Sequence, residues 1–146
     1  MSKVSDEFEF LEYVYKDLQI NVENARQIIN IGNNINDKIR EILNFKIDEY
    51  KKCIIAIKKM IERRKQKIEE AGLFNKVATS MSVKLSIKDD ETKDDLIDRI
   101  IQGSNFIIIS INKKFDEYNI MSKHIVNLKN RIINIEENSI KLLEKI

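Results

Sequence analysis

Few residues in this chain have the type and spacing to hold a metal or move a proton. One histidine, His124, and one cysteine, Cys53, occur in 146 residues. A di-iron carboxylate bundle takes a glutamate from each of two helices and a Glu-x-x-His pair from each of the other two. Here Met121 stands three residues before His124, so that pair does not occur. The residues closest to a degenerate site are Glu49, Gln102 and Glu136, with Tyr50 and His124 beside them. Iron or manganese would suit such a set; otherwise no cofactor and no catalytic residue is expected. The competing reading makes Glu49, Gln102 and Glu136 flank residues that hydrogen-bond between helices. Cys53 reads as a small packed hydrophobe, because no histidine lies near it to make it a nucleophile. Glycine-rich phosphate loops, Cys/His metal spacings and nucleophile motifs do not occur.

Charge supplies a second lead. Between residues 51 and 67, eight bases (Lys51, Lys52, Lys58, Lys59, Arg63, Arg64, Lys65, Lys67) face one acid, Glu62, a local net charge of +7. Such a stripe can follow a phosphate backbone with affinity that falls steeply in salt. Nucleic acid is therefore one candidate partner. Against it, the whole chain carries only +2, and no aromatic residues interleave the bases for stacking. The acidic residues Asp89, Asp90, Glu91, Asp94, Asp95 and Asp98 could pair with the stripe within the fold or across a dimer.

These residues must be positioned by helices. There is no proline and only three glycines, so the punctuation of turn-rich β folds is missing. Isoleucine, lysine and asparagine are over-used, as AT-rich codons would produce, and isoleucine is not counted as strand evidence. The chain fits one domain, residues 1–146, large enough to bury a core without disulfides or metals. With no signal-peptide-like start and no long apolar span, a cytoplasmic protein without membrane attachment is expected.

Heptad-like spacing divides the chain into four helices. The first is expected to start after Ser5 as N-cap and end near Gly32, burying Phe8, Leu11, Tyr15, Leu18, Val22, Ala25 and Ile29. The second runs from Asn36-Asp37 to Gly72 on Leu43, Ile47, Tyr50, Ile54, Ile57, Ile61 and Ile68, with Arg64 as a polar intruder. The third spans Thr92 or Asp94 to Tyr118 on Ile97, Ile101, Ser104, Ile108, Ile111, Phe115 and Tyr118. The run 106–111 could pass for a strand, but it lies inside an unbroken heptad and lacks flanking turn residues. The fourth follows Asn119 to the end, on Met121, Ile125, Leu128, Ile132, Ile135, Ser139, Leu142 and Ile146. None of the four stripes contains a carboxylate. Gly103, inside the third helix, suggests close helix packing beside Ser104, and Ser104 is a candidate partner for a buried tyrosine hydroxyl.

Residues 73–92 read as a short crossover helix followed by a polar loop, whereas the other two connections are short. Short links favour antiparallel neighbours, and one long middle link permits ferritin-like wiring. The expected fold is all-α: an antiparallel four-helix bundle, ferritin-like, with a long crossover between helices two and three.

Several strings carry a family resemblance: Leu11-Glu12-Tyr13-Val14-Tyr15, Asp48-Glu49-Tyr50, Ile101-Gln102-Gly103-Ser104, Lys113-Lys114-Phe115-Asp116-Glu117-Tyr118 and Ile135-Glu136-Glu137-Asn138-Ser139-Ile140-Lys141. In these the chain resembles a family of small ferritin-like proteins of anaerobic Gram-positive bacteria. The resemblance implies a ferritin-like fold and no defined reaction. It differs in the linker after the second helix, where Glu69 to Phe74 contains no proline. A complete core without a complete active site points to a non-enzymatic bundle acting through self-association or a protein partner. A metal-binding bundle and a nucleic-acid-associated protein are the alternatives.

Overall fold

The computed structural model describes residues 3–31, 35–71 and 92–146. These form four α-helices: α1 (Lys3–Ile31), α2 (Asp37–Ala71), α3 (Lys93–Asp116) and α4 (Lys123–Glu144). No strand occurs among the described residues, and 106–111 lie wholly within α3. None of the described helices is long and apolar enough to cross a membrane. The expected crossover, 73–92, and the expected stop at Gly72 lie outside the described residues, except for Thr92.

Local chemistry accounts for the starts of α2 and α3. Asn36 Oδ1 accepts the Ile39 amide at 2.9 Å, and Thr92 Oγ1 accepts the Asp95 amide at 3.1 Å. Both side chains satisfy an amide that a helix start leaves without an internal partner. Asp94 and Asp95 in the first turn of α3, and Lys113 and Lys114 in its last, match the helix dipole. The start of α1 corrects the expectation of a Ser5 cap. The helix begins at Lys3, and Ser5, Asp6 and Glu7 are buried inside its first turns.

The packing pairs α1 with α2 most extensively, then α3 with α4, then α2 with α4, while α1 and α3 touch over a short stretch. One core runs through all four helices, with Phe10, Leu11, Leu18, Ile39, Leu43, Ile57, Ile125, Ile132 and Leu143 almost wholly enclosed. Fully burying each of these apolar side chains contributes about 1.5–3 kcal/mol. Phe10 anchors one end, with its ring edge-on to Phe115 at 5.5 Å between centroids.

The expected stripes of α1, α2 and α4 hold in their centres and slip at their edges, whereas Ile108, the middle of the α3 stripe, is only half-buried. Tyr13, not Tyr15, is the enclosed tyrosine of α1, and Leu143, not Leu142, is the last core residue of α4. Met121 is exposed, because it precedes α4 in the link from α3 and is not a helical position. Real helices bury a stripe wider than a strict heptad seam, so Phe10, Val14, Ile28, Ile42, Cys53, Leu96 and Ile100 join the core as well.

Candidate functional site

Charge inside the bundle interior is the feature that the heptad reading passes over. Glu136 of α4 is 0 % exposed, which corrects the expectation of a core free of carboxylates. Its counterpart is Lys46 of α2, whose Nζ stands 2.8 Å from Glu136 Oε1 and donates to Ser104 Oγ of α3 at 3.4 Å. The pair is compensated in charge, and its hydrogen bonding is incomplete. Neither carboxylate oxygen has a well-angled donor, and the nearby Tyr50 hydroxyl, one turn along α2, has no partner. Ser104 thus serves Lys46 and not a tyrosine. Burial pushes the Glu136 carboxyl above its ordinary value, with the Lys46 ammonium pulling the other way.

Lys46 also lines a cleft of about 400 Å³ among α1, α2 and α3. Asn21, Asn24 and Ala25 of α1 form one wall, and Arg99, Gln102, Gly103 and Ser104 of α3 the other. The expectation that Gly103 marks close packing is corrected here. A Cβ built on Gly103 would meet nothing within 4 Å, so the glycine leaves the cleft wall bare. Asn21 lines the same cleft and keeps its buried amide nitrogen without an acceptor.

The candidate metal residues are not gathered. Glu49 receives Lys52 Nζ at 3.1 Å and Arg131 Nη2 at 3.2 Å, and these hydrogen bonds hold its carboxyl below the ordinary range. Gln102 lies at the cleft, and Glu136 pairs with Lys46. His124 is exposed in the first turn of α4, beside Lys59, Arg63 and Arg64. Among the described residues no three of His, Cys, Asp or Glu cluster as a metal ion would require. Cys53 is enclosed, and burial raises its thiol above the ordinary value.

The basic stripe divides by role. Arg64 turns inward and its Nε donates to Glu7 Oε1 at 3.1 Å, which explains a cation on a core stripe. Lys58 lies 6.0 Å from the Tyr15 ring centroid, and Lys52 is taken by Glu49. Lys51, Lys59, Arg63 and Lys65 are exposed along α2; the Lys67 side chain lies outside the described residues.

Glu7 does more than pair with Arg64. Its Oε2 accepts the amides of Met121 at 3.1 Å and Ser122 at 2.9 Å, while Asp6 Oδ2 accepts the Asn119 amide at 3.0 Å. Ser122, the N-cap of α4, makes no capping bond with its own side chain. The carboxylates of α1 therefore hold the link between α3 and α4. Burial, followed by the charge of Glu9, pushes the neighbouring Tyr118 hydroxyl up to about 12.

A third site is apolar. Phe45 of α2 is 52 % exposed and Leu142 of α4 is 49 % exposed, and with Ile42 and Ile146 they line an open groove of about 430 Å³. Lys38, Glu41 and Lys145 form its rim. Comparison with protein-family models, with curated proteins and with solved structures finds no match, so the functional reading rests on geometry.

Proposed function

We propose that this chain is a non-enzymatic, ferritin-like four-helix bundle of the cytoplasm that acts by pairing with a second copy of itself. The observation that carries the reading is the Phe45–Leu142 groove. Two large apolar side chains, each about half exposed, stand together where single exposed residues would need no explanation. The rim favours a second copy as the occupant. Lys38 and Lys145 supply one sign and Glu41 the other, so the patch can meet itself across a two-fold axis with opposite charges facing.

Ferritin-like wiring is supported by which residues meet. Glu7 near the start of α1 bonds to Arg64 near the end of α2, and Phe10 stacks on Phe115 near the end of α3. Lys46 meets Glu136, whereas Glu49, further along α2, meets Arg131, which is earlier in α4. In this reading α2 and α4 run in opposite senses, and α1 opposes both α2 and α3. Helices α2 and α3 are then parallel, which requires the chain between them to return along the bundle.

Size-exclusion chromatography with light scattering, run as a dilution series, tests the pairing. The native chain is expected to move toward twice its 17.2 kDa mass as concentration rises. Phe45→Glu is expected to hold it at the monomer mass with unchanged helicity. A native chain that stays monomeric at millimolar concentration removes the proposal.

A further inference from the structure

The seam between α2 and α4 repeats one arrangement of cations a heptad apart, and only one of the two holds an acid at its centre. In the first, the Glu49 carboxylate of α2 lies between Lys52, three residues on, and Arg131 of α4, at 3.1 and 3.2 Å. Seven residues further along α2 and seven earlier in α4 stand Ala56, Lys59 and His124, about 10 Å away along the helix at 1.5 Å per residue. Ala56 and His124 line one cavity of about 400 Å³, together with Lys59 and, a turn beyond it, Arg63. A methyl group thus stands where the first arrangement has a carboxylate. Lys59, Arg63 and His124 are exposed, and none of them has an ion pair or a hydrogen bond among the described residues. Like charges one turn apart on a helix repel, so Lys59 and Arg63 weaken α2 unless an anion lies between them. Glu7, which also lines the cavity, is already committed: Oε1 takes Arg64, and Oε2 takes the Met121 and Ser122 amides. Glu62, three residues after Lys59, is exposed and outside the lining.

We propose that this cavity binds a phosphomonoester, its phosphate received by Lys59, Arg63 and His124 in the place that the Glu49 carboxylate fills one heptad earlier. Three donors from two helices suit a group with three terminal oxygens, and the planar fork of Arg63 matches two of them. A carboxylate or a phosphodiester offers two such oxygens and a single charge. The volume falls in the range of small-molecule sites and leaves room beside the phosphate for a short organic body, against Val4 and Met60. The Glu7–Arg64 ion pair, with side chains only 10 % and 15 % exposed, ties α1 to α2 at this cavity and fixes its shape without using the three outer donors. No described residue is shared with the Phe45–Leu142 groove, so binding here and self-association are separately testable.

The full chain is titrated at constant ionic strength with glycerol 3-phosphate, and separately with dimethyl phosphate, acetate and a short oligothymidylate, by calorimetry and by amide NMR. The pH is held at about 7, where a phosphomonoester carries close to two negative charges. Glycerol 3-phosphate is expected to saturate one site per chain, shift the Ala56 and His124 amides, and bind about tenfold more tightly than dimethyl phosphate or acetate. Ala56→Glu places the chain's own carboxylate between the cations, as Glu49 does, and is expected to abolish binding while the melting temperature holds or rises. Lys59→Gln with Arg63→Gln is expected to abolish binding with helicity unchanged. Lys51→Gln with Lys65→Gln removes the same charge from exposed positions outside the lining and is expected to leave the affinity within about twofold. Oligothymidylate that binds more tightly than the monoester and is weakened equally by both double variants assigns the charge to a nucleic-acid face and overturns the proposal. Undiminished binding in Ala56→Glu, or no saturable binding of glycerol 3-phosphate, overturns it as well.

Discussion

Two regions of this bundle bury charge, and they treat it differently. At the end where α1 begins, Glu7 gives one oxygen to Arg64 and the other to the amides of Met121 and Ser122, and Asp6 takes the Asn119 amide. In the middle, Glu136 is more deeply buried and has one cation at 2.8 Å, but no well-angled hydrogen bond on either oxygen. Taking a carboxylate out of water costs several kcal/mol, which attraction repays only when hydrogen bonds complete the shell. In the end cluster Glu7 meets that condition on both oxygens, while Asp6 uses Oδ2 and keeps a buried Oδ1 without a partner, and the two together work as a clamp. The middle pair does not meet it, and its exposed side is a cleft. Hydrogen bonding on both oxygens, not burial, separates Glu7 from Glu136.

The comparison breaks most visibly at Lys46. Lys46→Met leaves Glu136 buried without its cation and is expected to destabilise the fold by about 3–5 kcal/mol in urea unfolding, whereas adding Glu136→Leu restores stability to near the native value. A single variant as stable as the native chain would show that Glu136 is not buried as a charge. At the clamp, Glu7→Ala is expected to cost about 1–3 kcal/mol by leaving Arg64 and two amides without their acceptor. The same measurement should show Glu12→Ala, on a half-buried position, costing less.

The smallest effect sharpens the middle pair alone. Burial raises the Glu136 carboxyl above its ordinary 4.5, against the opposing Lys46 charge. An acid raised on folding contributes stability that is fully present below its unfolded value and is lost as pH climbs through its folded value. Native protein should therefore lose stability relative to Glu136→Gln as pH rises above about 4.5, read from urea midpoints between pH 4 and 8. A gap that stays constant across that range would mean that Lys46 fully offsets the burial.

Much of the helical architecture is legible in local chemistry. Thr92 and the Asn36-Asp37 pair mark helix starts because a side-chain oxygen reaches an amide three residues on, a purely local event. The centres of the stripes are legible for the same reason: Leu43, Ile47, Ile57, Ile125 and Ile132 are spaced to share a face. Legibility fails where a partner is distant. Ser5 looks like a cap because nothing nearby reveals that Asp6 and Glu7 are needed at the link between α3 and α4, more than a hundred residues away. Lys46 and Glu136 are screened out of a core list by their charge. A signal did exist: Lys46 stands three residues after Leu43 and Glu136 four after Ile132, each on the buried side of its helix. Gly103 misleads in the opposite direction, because a missing side chain can admit a neighbouring helix or leave a void, and spacing cannot distinguish them.

The reach of Glu7 across 115 residues to the Ser122 amide bears on how the molecule assembles. Helix α4 lacks a side-chain cap of its own at Ser122, so its first turn is completed only when α1 docks against it. A hairpin of α3 and α4 formed alone would carry a frayed beginning, and closing so long a chain segment is an entropic cost that must be met before that contact stabilises anything. The start of α4 thus takes its missing acceptor from the far end of the chain sequence and is complete only with α1 in place.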